Sequence, residues 1–338
     1  MTRVLVTGAS TPVGSAVVAQ LAQEPRVEAV LAVQRPHEKS VGLERQPNVT
    51  LVHADLTHAR QIHDLLFGEA RRMGCDTVLH LAAHRAAREE GNKIHALNVE
   101  STRQLLELSQ RHPTLRHFVL RSYADVYRVR PHHATLLRED HPLELSPSAP
   151  QWVRDRVESD LIACSAMGVS ALRVAVLRCA ECPAPDNGSQ LWEYLQARMC
   201  FTPLGFDPMI NVISIPDIAD ALTRVALSNV VGVYNVPGAD TLPLAEAIRS
   251  AGKPRIPVPD RFVARFQALG SGGVGNDFRY DQNHFRFRFS GVLDGARIRD
   301  AVGFSPRHRI GWETVKPQAE FDTAAAHVAT QQRPRGVS

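Results

Sequence analysis

From residue 3 to residue 177, short apolar runs alternate with amphipathic stretches of helical length. Segments 3–6, 27–33, 49–52, 77–81, 118–120 and 171–177 read as strands. Segments 15–21, 57–72, 92–111 and 151–167 read as helices, the third stopped near Pro113 and the fourth by Gly168, a good C-cap residue. Such alternation builds βαβ units and therefore a parallel sheet. Right-handed crossovers wind helices over both faces and gather ligands at the carboxyl ends of the strands.

After Arg178 the pattern loosens, with breakers at Pro183, Pro185, Gly188, Pro203, Gly205, Pro208, Pro254, Pro257 and Pro259. Three parts are expected: a nucleotide-binding domain over 1–178, a smaller α/β substrate domain over 179–330, and a disordered tail over 331–338. The strand–helix stretch 210–235 is expected to return to the first domain. The 338 residues, 44% hydrophobic and 22% charged, suit a soluble globular chain. No apolar run approaches the roughly 20 residues of a membrane span. The N-terminus runs straight into a strand pattern without a signal peptide, so a cytoplasmic location is expected.

The net charge of +4 is mild and its positives are scattered, which argues against a nucleic-acid partner. Alternating Phe285-Arg286-Phe287-Arg288-Phe289 reads as a strand with one buried and one charged face. Lysine is confined to Lys39, Lys93, Lys253 and Lys316, so arginine carries most of the cationic work. The five cysteines form no disulfide framework. Cys179 and Cys182 make a single Cys-x-x-Cys without a second pair, so no metal site is expected and the two read as small residues at a strand end.

The first strand enters Thr7-Gly8-Ala9-Ser10-Thr11-Pro12-Val13-Gly14 and then a helix. A glycine-bearing turn there lets backbone approach a pyrophosphate, whose charge the helix N-terminus favours. Thr11 stands where the central glycine of such turns belongs, so an ordinary strand–helix turn remains the alternative for this segment taken alone. Further segments follow in order: His53-Ala54-Asp55-Leu56, His80-Leu81-Ala82-Ala83, Asn98 to Thr102, Arg121 to Tyr127, Leu177-Arg178, Ser214 to Ala219, Gly232 to Val236, Asp294, and Gly303-Phe304-Ser305-Pro306. Together they resemble the extended short-chain dehydrogenase/reductase family, of the NAD-dependent epimerase/dehydratase type, over nearly the whole chain.

The resemblance implies a doubly wound, parallel Rossmann-type sheet and a bound NAD or NADP. It implies that Gly8, Ser10, Thr11 and Gly14 form the phosphate turn. Asp55 would sit by the adenine with Leu56 packed against it, and Ala82 and Ala83 would line the passage to the nicotinamide ribose. Asn98 belongs either to this site or to the fold as a buried amide tying neighbouring strands. Asp55 has a second reading as N-cap of the helix from Thr57. At the end of the second strand Gln34 carries no charge and Arg35 can pair with a 2′-phosphate, which favours NADP over NAD unless Arg35 is merely solvated.

The family's serine, tyrosine and lysine are replaced by Tyr123, Trp152 and Arg156, with Ser122 one place early and expected to point elsewhere. Trp152 has no titratable proton and Arg156 stays protonated. Positions 152 and 156 still share one helical face, so Arg156 can bind ribose hydroxyls. None of the five tyrosines has a lysine four residues on. Tyr123 and His84, both expected at the carboxyl end of the sheet, are the candidate acid–base groups, and Tyr127 is expected to pack structurally. Two readings stay open. One is a divergent oxidoreductase or epimerase acting on a small-molecule carbonyl or hydroxyl substrate. The other is a dinucleotide-binding sensor or partner protein without turnover. A homodimer is the expected assembly if the chain is not monomeric.

Overall fold

The computed structural model describes residues 1–312 apart from 37, 39–41, 44–45, 85 and 271–276. The expected tail at 331–338, and the end of the second expected domain, lie outside the described residues. Seven strands form one parallel sheet: β1 (Thr2–Thr7), β2 (Val27–Gln34), β3 (Val49–His53), β4 (Thr77–His80), β5 (His117–Tyr123), β6 (Arg173–Cys179) and β7 (Gly232–Val236). Their spatial order is β7-β6-β5-β4-β1-β2-β3. The order reverses beside β1, and in an open α/β sheet a crevice forms at such a reversal.

Successive residues of β1 serve opposite faces. Val4 and Val6 join one core with Val17, Leu222 and Val225, while Leu5 joins the other with Leu31, Leu66, Phe118 and Val176. The first of these helices, α1 (Pro12–Gln23), buries Val13, Val17 and Leu21, one turn apart. It begins at Thr11, whose hydroxyl accepts the Gly14 N–H at 2.9 Å, with proline at the first helical position. The next, α2, joins α-helical Ala59–Asp64 to π-helical Leu65–Ala70 and Arg71–Met73. Similarly, α3 joins Asn92–His95 to π-helical Ala96–Glu100 and Ser101–Gln110. Both follow the expected helices, and the π segment of α3 carries Asn98.

The fourth helix, α4 (Gln151–Ser165), starts after Pro150 and gives way to a left-handed Gly168 at φ 76°. The fifth, α5 (Ile215–Ala226), is capped by Ser214. Buried Asp217 in its first turn accepts the N–H groups of Arg307 and His308, fastening the chain beyond Phe304. A separate core lies over the carboxyl end of the sheet and contains Leu191, Tyr194, Phe201, Val212, Leu244, Val263, Phe278 and Phe287. Two small sheets frame it, one of Met209–Val212 with Asp240–Pro243 and one of Cys200–Pro203 with Arg255–Val258. Among the described residues no helix is long and apolar enough to cross a membrane.

Two local expectations are corrected. Residues 285–289 are helical turns after the short helix Tyr280–Asn283, not a strand. The Phe287 and Phe289 amides donate to the Asn283 and Phe285 carbonyls at 3.2 and 2.8 Å. Burial of Phe287 in the second core, with Arg286 reaching Asp125, outweighs the period-2 pattern. Asp55 is not the N-cap of α2. Its carboxylate accepts the Thr57 N–H at 2.9 Å and the Thr57 hydroxyl at 2.7 Å, and the helix starts two residues later at Ala59.

Candidate cofactor and substrate cleft

The turn between β1 and α1 closes tightly. Gly8 has φ +70°, and a Cβ there would meet the Ala82 backbone nitrogen and Cα at 2.9 Å. A Cβ on Gly14 would come within 2.1 Å of the Gly8 carbonyl oxygen. Both positions therefore require glycine. Thr11, in the expected glycine's place, does structural work: besides capping α1, its hydroxyl donates to the Gly8 carbonyl at 2.8 Å. Next to it, the Ser10 hydroxyl donates to the carboxylate of Glu38.

A buried chain of hydrogen bonds holds this turn against β4. Thr7 Oγ1 accepts the N–H groups of Leu81 and Ala82 at 3.1 and 3.2 Å and lies 2.8 Å from His80 Nδ1. His80 Nε2 lies 3.0 Å from Thr102 Oγ1, which donates to the Asn98 carbonyl at 3.0 Å. With the Thr7 and Thr102 hydroxyls both donating onward, His80 accepts at Nδ1 and donates at Nε2, a neutral tautomer. Complete burial pushes His80 down to about 4, in keeping with that neutral form.

The far end of the cleft lies at the tips of β2 and β3. Gln34 is buried and its amide bonds to His53 Nε2 at 2.7 Å and the Glu38 carbonyl at 3.3 Å. Arg35 is exposed. Its backbone N–H approaches the Glu38 carboxylate at 3.4 Å. Glu38 was not picked out by sequence, because it lies four residues beyond the end of the strand rather than at it. Leu56 is buried in the adjoining core.

Deeper in, a cavity of about 560 Å³ is lined by Ala82, Ala83, His84, Asn98, Tyr123, Trp152 and Arg156, so these sequence candidates do meet. Asn98 also braces the cleft wall: its Oδ1 accepts the His84 N–H at 2.7 Å and its Nδ2 donates to buried Asp155 at 3.1 Å. His84 lies 3.2 Å from Glu89. Ser122 points away, donating to Asp160 at 2.6 Å. Tyr127 is buried and donates to Asn235 at 2.6 Å, a packing role. Trp152 directs its indole N–H to Gln282 at 3.0 Å, so its only donor is engaged.

Arg156 stacks over the Tyr123 ring, 3.9 Å from its centroid, and pairs with Asp125. Asp125 simultaneously pairs with Arg286 from the C-terminal half. A third guanidinium, Arg121, also lies over the Tyr123 ring, 5.0 Å from its centroid. Burial works against the charge of Arg156 and lowers its pKa. Cys179 ends β6 and Cys182 follows; both are buried free thiols that burial pushes up to about 11 and about 12 respectively, well above a reactive range.

The parallel seven-stranded sheet carries a glycine turn at its switch point and a polar cleft beyond, the arrangement in which open α/β sheets hold ligands. Residues 4–153 match the NAD dependent epimerase/dehydratase family. The uncharacterized protein Rv0501 of Mycobacterium tuberculosis is 28% identical over 316 residues, covering 93% of this chain and 81% of that one. A dTDP-glucose 4,6-dehydratase from Bacillus anthracis, solved with NAD, has a TM-score of 0.67 at 18% identity, covering 93% of this chain and 96% of its own. A UDP-glucose 4-epimerase from Thermotoga maritima, solved with UDP-glucose, has a TM-score of 0.68 at 16% identity, covering 96% and 100%. At these identities the structural likeness carries the fold.

Proposed function

We propose that the protein binds a nicotinamide dinucleotide along the cleft and uses it for hydride transfer to or from a small carbonyl or hydroxyl substrate, with Tyr123 as the acid–base group. One observation carries this reading. Tyr123 is a titratable phenol in the wall of the cleft, on the same cavity as Ala82, Ala83 and Arg156. The turn at Gly8, Ser10, Thr11 and Gly14 receives the pyrophosphate, Asp55 and Leu56 border the adenine, and Ala82, Ala83 and Asn98 flank the passage to the nicotinamide. The cofactor supplies or accepts the hydride. Tyr123 gives or takes the hydroxyl proton, while Arg156 stabilises negative charge developing on the substrate oxygen.

NAD is favoured over NADP in this reading. Glu38 offers a carboxylate beside Ser10, able to accept from ribose hydroxyls and to repel a 2′-phosphate, whereas Arg35 is exposed. The Trp152 indole and the Arg156 guanidinium hold the cleft in shape and transfer no proton.

The test is single-turnover reduction of a panel of carbonyl compounds with NADH. Tyr123→Phe should lower the rate by about 100- to 10,000-fold and leave NADH affinity within a factor of about 2. Activity surviving in Tyr123→Phe, but lost in His84→Ala, would transfer the role to His84. The reading without turnover is favoured by the engaged Trp152 N–H. It predicts tight NADH binding with no reduction of any compound, and no gain from Trp152→Tyr combined with Arg156→Lys.

A further inference from the structure

Beside Tyr123, at the carboxyl ends of β5 and β6, lies a small recess whose lining includes Arg121, Asp125, Arg156, Glu181 and Asn187. Arg121 is only 7% exposed. One of its terminal nitrogens donates to Asn187 Oδ1 at 3.2 Å, and its Nε has no hydrogen-bond partner. Asn187 is itself oriented by donating to the Cys182 carbonyl at 3.1 Å. Among the described residues no carboxylate lies within ion-pair distance of Arg121.

The neighbouring charges do not neutralise it. Arg156 and Arg286 share the single carboxylate of Asp125. Glu181 accepts from the Ser189 hydroxyl at 2.5 Å and the Leu191 N–H at 3.3 Å. Of the two guanidinium groups in the lining, Arg156 has Asp125 as its partner, and Arg121 has no carboxylate within ion-pair distance. A buried cation without a partner is costly, and a ligand oxyanion would relieve that cost while meeting the free Nε–H.

A third cavity of about 720 Å³ adjoins this one, sharing Asp125 and Glu181 in its wall. Its lining is largely apolar, with Val129, Leu191, Met209, Leu244 and Phe287. Gln190, Asn211, Asn283 and Arg286 also line it, so an aliphatic or aromatic body would be covered there and meet polar side chains at a few points.

We propose that Arg121 is the anchor of an oxyanion subsite, and that the ligand of this cleft carries one compact oxyanion, a carboxylate or a phosphate monoester, on an apolar body. This rests on the proposed function only in calling that ligand the substrate.

The experiment is calorimetric titration of the full chain, with and without NADH, using 4-phenylbutyrate, phenyl phosphate and the neutral 4-phenylbutanol. At least one anion should bind about tenfold or more tightly than the alcohol, since hydrogen bonds to charged groups are worth about 1.5–3 kcal/mol. The tighter of the two anions identifies the oxyanion. Arg121→Gln should erase the preference for the anion and leave affinity for the alcohol and NADH unchanged. Asn187→Ala, a smaller perturbation, should weaken the anion several-fold while sparing the alcohol. Equal binding of alcohol and anions by the wild type, a preference that persists in Arg121→Gln, or one undiminished in Asn187→Ala, would overturn the proposal. Failure of NADH to bind would sink the cofactor reading alone, because the titration without NADH still reads the subsite.

Discussion

Single residues decide most of what distinguishes this cleft. In the proposed reading Glu38 and Arg35 pull the cofactor preference in opposite directions, so Glu38→Gln should raise the NADP affinity relative to NAD by about tenfold, read by fluorescence titration with the two reduced cofactors. Arg35→Ala should change the ratio by less. That Trp152 and Arg156 share one helical face was legible in the sequence, because it depends only on spacing. Glu38 was not, because its approach to Ser10 is set by the path of the chain after β2. Arg121 was equally illegible. A buried arginine without a carboxylate is visible only once its neighbours are known. His80 gives a pH test. Its ordinary value is 6.5 and the folded chain holds it at about 4. Between those values the unfolded chain carries a proton that the folded chain refuses. Stability from this group is therefore complete above pH 6.5, declines as the pH falls towards 4, and levels off below. The shift corresponds to about 3 kcal/mol. Urea denaturation at pH 7.5 and 4.5 should show a loss of that order, and His80→Asn should flatten the part of the profile due to this group.

At the level of elements, the periodic pattern foretold the strands and helices of the first half well, since long helices and buried strands each carry a clear period. The π segments in α2 and α3 escaped it, because an extra residue in a turn leaves no mark on composition. The segment in α3 matters here: it carries Asn98, whose side chain ties the strand-end at His84 to Asp155 of α4. The 285–289 turn escaped for the opposite reason, since its alternating Phe and Arg imitate a strand. The α1 cap gives the element-scale prediction. Thr11→Ala removes the acceptor for the Gly14 N–H and the donor to Gly8, and should destabilise the protein by about 1 kcal/mol in urea melts. Thr11→Gly should cost less at the cap yet loosen NADH binding, because the turn loses its crosslink to Gly8.

Across the whole molecule, Asp125 joins the two halves. It takes Arg156 from α4 and Arg286 from the segment beyond the second core. Asp125→Asn leaves two cations without their shared partner and should destabilise by about 3 kcal/mol or more. Limited proteolysis should then cut the C-terminal half earlier than in the wild type, while the sheet keeps its far-ultraviolet circular dichroism. Unchanged cutting would mean that the second core alone holds the halves together. No local pattern marks this joint, because Asp125 and Arg286 are 161 residues apart.

The central placement of β1 also governs how the chain can be made. Its residues pair with β2 on one side and β4 on the other, and the Thr7–His80 hydrogen bond spans 73 residues. A chain emerging from the ribosome completes β1 and β2 long before β4 exists. For that interval one apolar edge of the first strand is open to any other extended segment, and helices α1 and α2 have only part of a surface to pack on. Parallel pairings of this kind are slow to form because loop closure must precede their reward. The turn at Gly8 is thus synthesised well before β4 yet acquires its final shape only after β4 has paired, and overproduction at high temperature should trap nascent chains as aggregates before β4 arrives.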